Sequence, residues 1–353
     1  MPKAEHEDHD RPPLATARQE GPLMEYRTLG KTGLKVSVTG FGCWEMGGGY
    51  GDVAQKQTTA AVNRAIDVGI NCFDTAPAYG RGESERILGE ALGARRKDVV
   101  LVTKCGVGYP GRLKSRDSRP ESIAASLERS LKNLNTDYVD VLLIHWPDVT
   151  TPFEETMGAL DDLVKQGKTR FVGESNFTLD MIKECMQTRR LDVVQGGLHM
   201  FDRRLASEIF PYCLEQEIGV MVYGPLAFGL LAGAFTEDTE FGSNDWRSNP
   251  NMLPELFLRM FERDNFRRNV GVVEELKGIA ARAGKKMPHL ALRWVLSNPG
   301  VHVALVGSRD AEEVEDNLGV LDWTLSDMDR AEIDAVFVKQ GVNTAPDLWV
   351  DTD

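Results

Sequence analysis

Beyond the first two dozen residues, short apolar runs alternate with longer amphipathic stretches along the chain. Runs rich in Val, Ile, Leu and Phe at 38–41, 70–73, 99–103, 139–144, 171–173, 193–195, 220–223 and 303–306 predict eight strands. Between and after them, 54–68, 83–92, 120–134, 153–166, 179–187, 206–217 and 266–283 read as helices, with Ser118 and Pro120 marking a helix start and Gly167 a stop. Strands separated by helices of this length imply βαβ units and a parallel sheet. Eight in one domain predict an α/β protein of the (β/α)8, or TIM-barrel, kind. An open doubly wound sheet would need a GxGxxG turn directly after its first strand. Gly47-Gly48-Gly49 with Gly51 has the wrong spacing, and no helix opens on it. The gap before the eighth strand is the longest, and 235–265, rich in Asp, Asn, Pro and Trp, reads as a long loop over the barrel mouth. No internal repeat beyond the βα unit is visible.

Composition narrows the field. An apolar share of 42% suits a globular chain, and a net charge of −13 argues against binding nucleic acid or an anionic membrane. No apolar run approaches the roughly 20 residues that span a bilayer. Residues 1–23 are polar and read as a disordered tail, with Met24 as a possible alternative start; 24–340 form the barrel and 341–353 a second tail. The five cysteines lack metal-type spacing, which fits reduced thiols in a cytoplasm and no metal site.

Most predicted strands stop at a residue that a buried strand would not choose. The second ends at Asp74, the third at Lys104, the fourth at His145, the fifth at Ser175-Asn176, the sixth at Gln195 and the seventh at Tyr223. Each has an ordinary reading: a solvated lysine, a satisfied core histidine, an aspartate capping a turn. In a barrel these ends share one rim, where such folds keep their chemistry. Tyr79 stands five residues beyond Asp74 in a Gly/Pro-bracketed loop, and a phenol needs a nearby cation to act as an acid near neutral pH.

The chain resembles the aldo-keto reductase family over roughly residues 25–335. The resemblance rests on Asn71-Cys72-Phe73-Asp74-Thr75-Ala76-Pro77-Ala78-Tyr79-Gly80, on Lys104 at a strand end, on Leu142-Leu143-Ile144-His145, and on the 167–177 stretch through Gly173-Glu174-Ser175-Asn176-Phe177. It implies a catalytic tetrad of Asp74, Tyr79, Lys104 and His145, which would reduce an aldehyde or ketone. Tyr79 would donate the proton, Lys104 would lower its pKa, Asp74 would hold Lys104, and a neutral His145 would orient the carbonyl. No side chain carries hydride, so a nicotinamide cofactor is implied.

By the same resemblance Ser175, Asn176 and Gln195 would hold the carboxamide and Tyr223 would stack on the ring. Gly42 and Trp44 would border the cofactor, and the segment with Leu226, Gly229, Leu231 and Gly233 would pass its pyrophosphate. Gly224 stands where many relatives carry serine. Gly307, Ser308 and Arg309 would receive a 2′-phosphate and Asn317 the adenine, which favours NADP(H). Glu313, an acid where relatives carry Arg or Gln, opposes that choice and keeps NAD(H) open. The pocket for a small-molecule substrate would be lined by Trp44, Met46, Tyr79, His145 and Trp146, joined from loops by Tyr50, Trp246 and Met252. Cys105, next to Lys104, is either a packing residue or a thiol of lowered pKa. The alternatives are an NAD-dependent dehydrogenase of a sugar or secondary alcohol, and a cofactor-sensing regulatory subunit resembling potassium-channel β-subunits. Oligomeric state is not legible.

Overall fold

The computed structural model of the chain describes residues 23–48, 55–107, 115–243, 245–248 and 255–345. Its strands are β1 (Tyr26–Thr28), β2 (Lys35–Ser37), β3 (Thr39–Gly42), β4 (Cys72–Asp74), β5 (Val100–Cys105), β6 (Val139–Ile144), β7 (Thr169–Ser175), β8 (Val193–Gly197), β9 (Gly219–Tyr223) and β10 (Val303–Gly307). β3 to β10 form a closed parallel barrel in chain order, with β10 pairing back onto β3. The eight expected strands are these eight, and the closure rules out the open sheet.

Below the barrel, β1 and β2 form an antiparallel hairpin that the apolar pattern did not predict. Leu29, Leu34 and Val36 from this hairpin pack with Cys72, Val100, Val102, Val141, Leu143, Val193, Met221, Val303 and Leu305 inside the barrel. The hairpin therefore plugs the N-terminal end. Gly30 takes a left-handed φ of 50° there, and a β-carbon on it would meet the backbone of Gly219 at 2.4 Å.

Helices Gln55–Asp67, Glu83–Leu92, Pro120–Leu134, Phe153–Lys165 and Leu179–Thr188 follow β3 to β7 in turn, close to their predicted bounds; residue 54 lies outside the described residues. The helix expected over 206–217 is instead two short ones, Arg204–Glu208 and Phe210–Glu215. Pro211 sits in the first turn of the second, where its missing N–H costs nothing. The long segment after β9 contains short turns and then Arg263–Arg282 and Met287–Leu296. Beyond β10 come Ala311–Asn317 and Asp327–Lys339. Past residue 340 the described chain is not a free tail: Val342 packs on the core and Arg203 N–H donates to Thr344 O. No described helix is long and apolar enough to cross a membrane.

One buried acid stands out between barrel and helices. Glu174 on β7 is fully buried; Oε2 accepts the Phe177 N–H at 3.0 Å, while Oε1 has no partner among the described residues. Burial pushes its pKa up to about 8, against the opposing Phe177 bond. Because the folded carboxyl holds its proton more tightly than the unfolded one, its stabilising contribution is full below about pH 4.5. It is lost as pH rises toward about 8, at roughly 1.4 kcal/mol per pH unit. Glu174→Gln is therefore expected to be more stable than wild type at pH 8, with the gap closing toward pH 5. Urea unfolding of both proteins across that range checks this, and a constant gap would refute it.

Candidate active site

The two-residue period of a strand carries the barrel interior up into the mouth. On β5, Val100 and Val102 lie in the interior cluster and Lys104 follows them. Cys72 is followed in the same way by Asp74, Leu143 by His145, Val193 by Gln195 and Met221 by Tyr223. Polar groups thus replace apolar ones one level above the core, at the C-terminal rim.

The structure joins them into one chain of contacts. Lys104 Nζ donates to Asp74 Oδ1 at 2.6 Å, to the Thr75 carbonyl at 3.0 Å and to the Tyr79 hydroxyl at 3.3 Å. Lys104 and Asp74 are 1% and 3% exposed, so this ion pair acts with little water between its members. Gln195 Nε2 donates to the other Asp74 oxygen at 2.8 Å, a contact across the barrel that the sequence reading missed. The His145 ring meets Tyr79 edge-on at 5.7 Å between centroids.

Charge states differ in part from expectation. Burial pushes the Tyr79 hydroxyl well above its usual pKa, with Asp74, Cys43 and Glu45 adding in the same direction. The expected lowering by Lys104 does not prevail, and Tyr79 keeps its proton. His145 is held far below its ordinary value by burial, then by Lys104 and Arg116, so its imidazole is neutral at pH 7. Its Nδ1 has no partner among the described residues. Cys105 corrects the reactive-thiol alternative: it is fully buried, and burial raises rather than lowers its pKa.

The residues expected to hold a cofactor come from the ends of β3 and β7 to β10 and from the segments that follow them. Asn176, at a left-handed φ of 69°, donates to His145 O at 3.0 Å and Ser175 Oγ at 2.9 Å, and accepts from the Tyr223 hydroxyl at 2.7 Å. A cavity of about 80 Å³ opens beside Asn176, Gln195, Tyr223, Phe228 and Phe257. Its lining also includes Glu174, Asp202 and Arg204 and apolar Val194, Leu205 and Ile209. Gly224 turns the chain after Tyr223 at φ 64°. In the next segment the amides of Gly229 and Leu231 donate to Leu226 O and that of Gly233 to Leu230 O. These three are thus already satisfied, and phosphate contacts expected from them would have to come from other groups. Gly42 and Gly307 pair at the ends of β3 and β10. Asn317 Nδ2 donates to Ser308 Oγ at 3.3 Å. Arg309 is clamped by Glu313: Nε and an Nη donate to Oε1 at 3.0 and 2.6 Å, and its own N–H to Oε2 at 2.8 Å.

Aromatic rings roof the site. Trp246, from the long loop, is 1% exposed and stacks on Trp44 at 5.7 Å, while Trp44 lies 6.4 Å from the Tyr79 ring. Trp146 is buried beside His145 and meets Phe257 edge-on. Met46 is buried in the core cluster, on the turn Glu45–Gly47 that packs against the turn bearing Tyr79. Tyr50 and Met252 lie outside the described residues.

A closed parallel barrel with a tyrosine, a lysine and a carboxylate linked at its mouth is the frame of a barrel oxidoreductase. Residues 39–337 match the model of the Aldo/keto reductase family, and the chain belongs to that family. It is 34% identical over 317 residues to an aldo-keto reductase of Bacillus subtilis, covering 89% of this chain and 93% of the relative. It is also 34% identical to the NADH-specific methylglyoxal reductase of Escherichia coli, covering 87% and 96%. Among solved structures it is similar to the glycerol dehydrogenase of Gluconobacter oxydans, with a TM-score of 0.80 and 31% identity over 93% of this chain and 98% of that one. Enzymes of this family use nicotinamide cofactors.

Proposed function

We propose that this protein reduces a small aldehyde or ketone to the alcohol, with Tyr79 as the proton donor. The observation that carries the reading is the contact series Tyr79–Lys104–Asp74–Gln195 at the barrel mouth. A nicotinamide bound along the rim would supply the hydride. Tyr79, protonated in the folded protein, gives its proton to the carbonyl oxygen. The phenolate then forms beside the Lys104 ammonium, which is worth most when that charge develops. Asp74 holds Lys104 in place, and Gln195 fixes the second Asp74 oxygen. Neutral His145, whose ring meets Tyr79 edge-on, can donate to the same carbonyl oxygen. The roof of Trp44, Trp146 and Trp246 favours compact substrates, as do the activities of the relatives, a methylglyoxal reductase and a glycerol dehydrogenase.

The cofactor choice turns on Arg309. A 2′-phosphate would compete for a guanidinium that Glu313 already holds, and like charges repel. This pairing supports NAD(H), contrary to the NADP(H) preference drawn from Ser308 and Arg309. A panel of carbonyls and alcohols run with both cofactors tests the whole reading. NADH is expected to support turnover at lower concentration than NADPH, and Glu313→Gln to tighten NADPH binding about tenfold, the worth of one charged hydrogen bond. Tight cofactor binding with no turnover across the panel would instead favour the regulatory reading.

A further inference from the structure

One carboxyl in the cleft plays no part in the reaction above. Glu45 follows Trp44 on the short turn Glu45–Gly47, and its side chain lies across the end of β10. A β-carbon built on Gly307 would fall 1.9 Å from Glu45 Oε1 and 2.2 Å from Oε2, so only the absence of a side chain there admits the carboxyl. Gly307 in turn pairs with Gly42 on β3. The carboxyl, one residue after Trp44, therefore covers the glycine end of β10, two residues before Arg309 in the chain. A bound dinucleotide reaching from Tyr223 to Ser308 would carry its anionic middle past this point. Among the described residues no lysine, arginine or histidine forms an ion pair with Glu45.

We propose that Glu45 makes dinucleotide binding proton-linked: the anionic middle of the cofactor is admitted beside Gly307 when the Glu45 carboxyl is neutral and is repelled when it is charged. This rests on reading the rim as a nicotinamide dinucleotide site. The charged neighbours are consistent with it. From the β10 side Glu45 faces Arg309, which favours its anion, and Glu313, which opposes it. The clamp between those two leaves Arg309 little charge to spare for Glu45. The turn Tyr79–Gly82 contributes the Tyr79 hydroxyl, which keeps its proton, and Arg81, which is exposed. On helix Glu83–Leu92, Glu83 and Glu90 are paired with Arg86, and Glu85 bonds Thr103 and Asn133. Cys43, just before Trp44, remains a thiol. Burial is the largest influence and pushes the Glu45 pKa up to about 7, where a modest change in pH changes its charge.

Titration calorimetry with NADH in two buffers of different ionisation enthalpy reads the linkage directly. NADH is the probe because it lacks the 2′-phosphate monoester, which itself titrates near pH 6. Wild type is expected to take up a proton on binding, approaching one per dinucleotide at pH 8, and its Kd to rise about tenfold between pH 6 and pH 8. In Glu45→Gln and in Glu45→Ala the uptake should vanish and the Kd stay flat, with Glu45→Gln about tenfold tighter than wild type at pH 8. Binding to wild type without proton uptake would overturn the proposal alone, as would equal uptake in wild type and both variants. Failure of wild type to bind either cofactor at any pH would overturn the functional reading and this proposal with it.

Discussion

Tyr79→Phe is expected to lower carbonyl reduction by about 100- to 10,000-fold, the usual worth of a positioned proton donor, while the Kd for NADH changes by less than about twofold. The substitution removes one oxygen and keeps the ring that meets Trp44 and His145. Lys104 loses a 3.3 Å contact but keeps Asp74 and Thr75, so the buried ion pair survives. The loss should therefore fall on kcat, because the hydroxyl contributes most where the carbonyl oxygen acquires negative charge. Neutral His145 remains in place and cannot substitute, since burial keeps its imidazole from holding the second proton that it would have to give. Single-turnover reduction with saturating NADH separates the chemical step from product release. Retention of more than about a tenth of the wild-type rate would remove Tyr79 from the role of acid.

The sequence carried the barrel because most strands are short apolar runs between amphipathic helices, and it carried the site because a polar residue (Asp74, Lys104, His145, Gln195 or Tyr223) stands at or just beyond the end of five of them. What stayed hidden has physical causes. The hairpin of β1 and β2 is three residues per strand and contributes only Leu29, Leu34 and Val36 to the interior, too few for a period to show. Met287–Leu296 is buried almost all round, from Met287 to Leu296, and so lacks the polar face by which an amphipathic helix is recognised. Asp327–Lys339 buries Ile333, Val336 and Phe337 but also exposes Met328 and Val338, which blurs its stripe. Site pairings were harder still. Gln195 and Asp74 are 121 residues apart, and only barrel closure brings their side chains together. Arg309 and Glu313 have the i, i+4 spacing of a paired charge, yet their pairing changes the cofactor argument only once Arg309 is known to be held on two sides. The sign of the Tyr79 shift depended on burial, which no local motif reports.

Lys104→Met should cost both stability and rate, and the two costs should separate in a double variant. Removing the ammonium leaves the Asp74 carboxylate buried with Gln195 as its remaining side-chain partner at 2.8 Å. Breaking one side of a buried ion pair costs about 3–5 kcal/mol, because the abandoned charge can neither reach water nor be neutralised cheaply. The rate should fall as well, by about 100- to 1,000-fold, since the phenolate left by Tyr79 would form without its cation. Adding Asp74→Asn removes the stranded charge. The amide keeps the shape of the acid and can still accept from Gln195, so the double variant should recover most of the lost stability. It should not recover the rate, because neither neutral side chain stabilises a phenolate. Urea unfolding at pH 7 and kcat measured on the same preparations give the two readouts. If the double variant is as unstable as Lys104→Met, the cost lies in the packing of the lysine stem rather than in the uncompensated carboxylate. If it regains turnover along with stability, Lys104 serves the fold alone, and the phenolate must be stabilised by another group at the mouth.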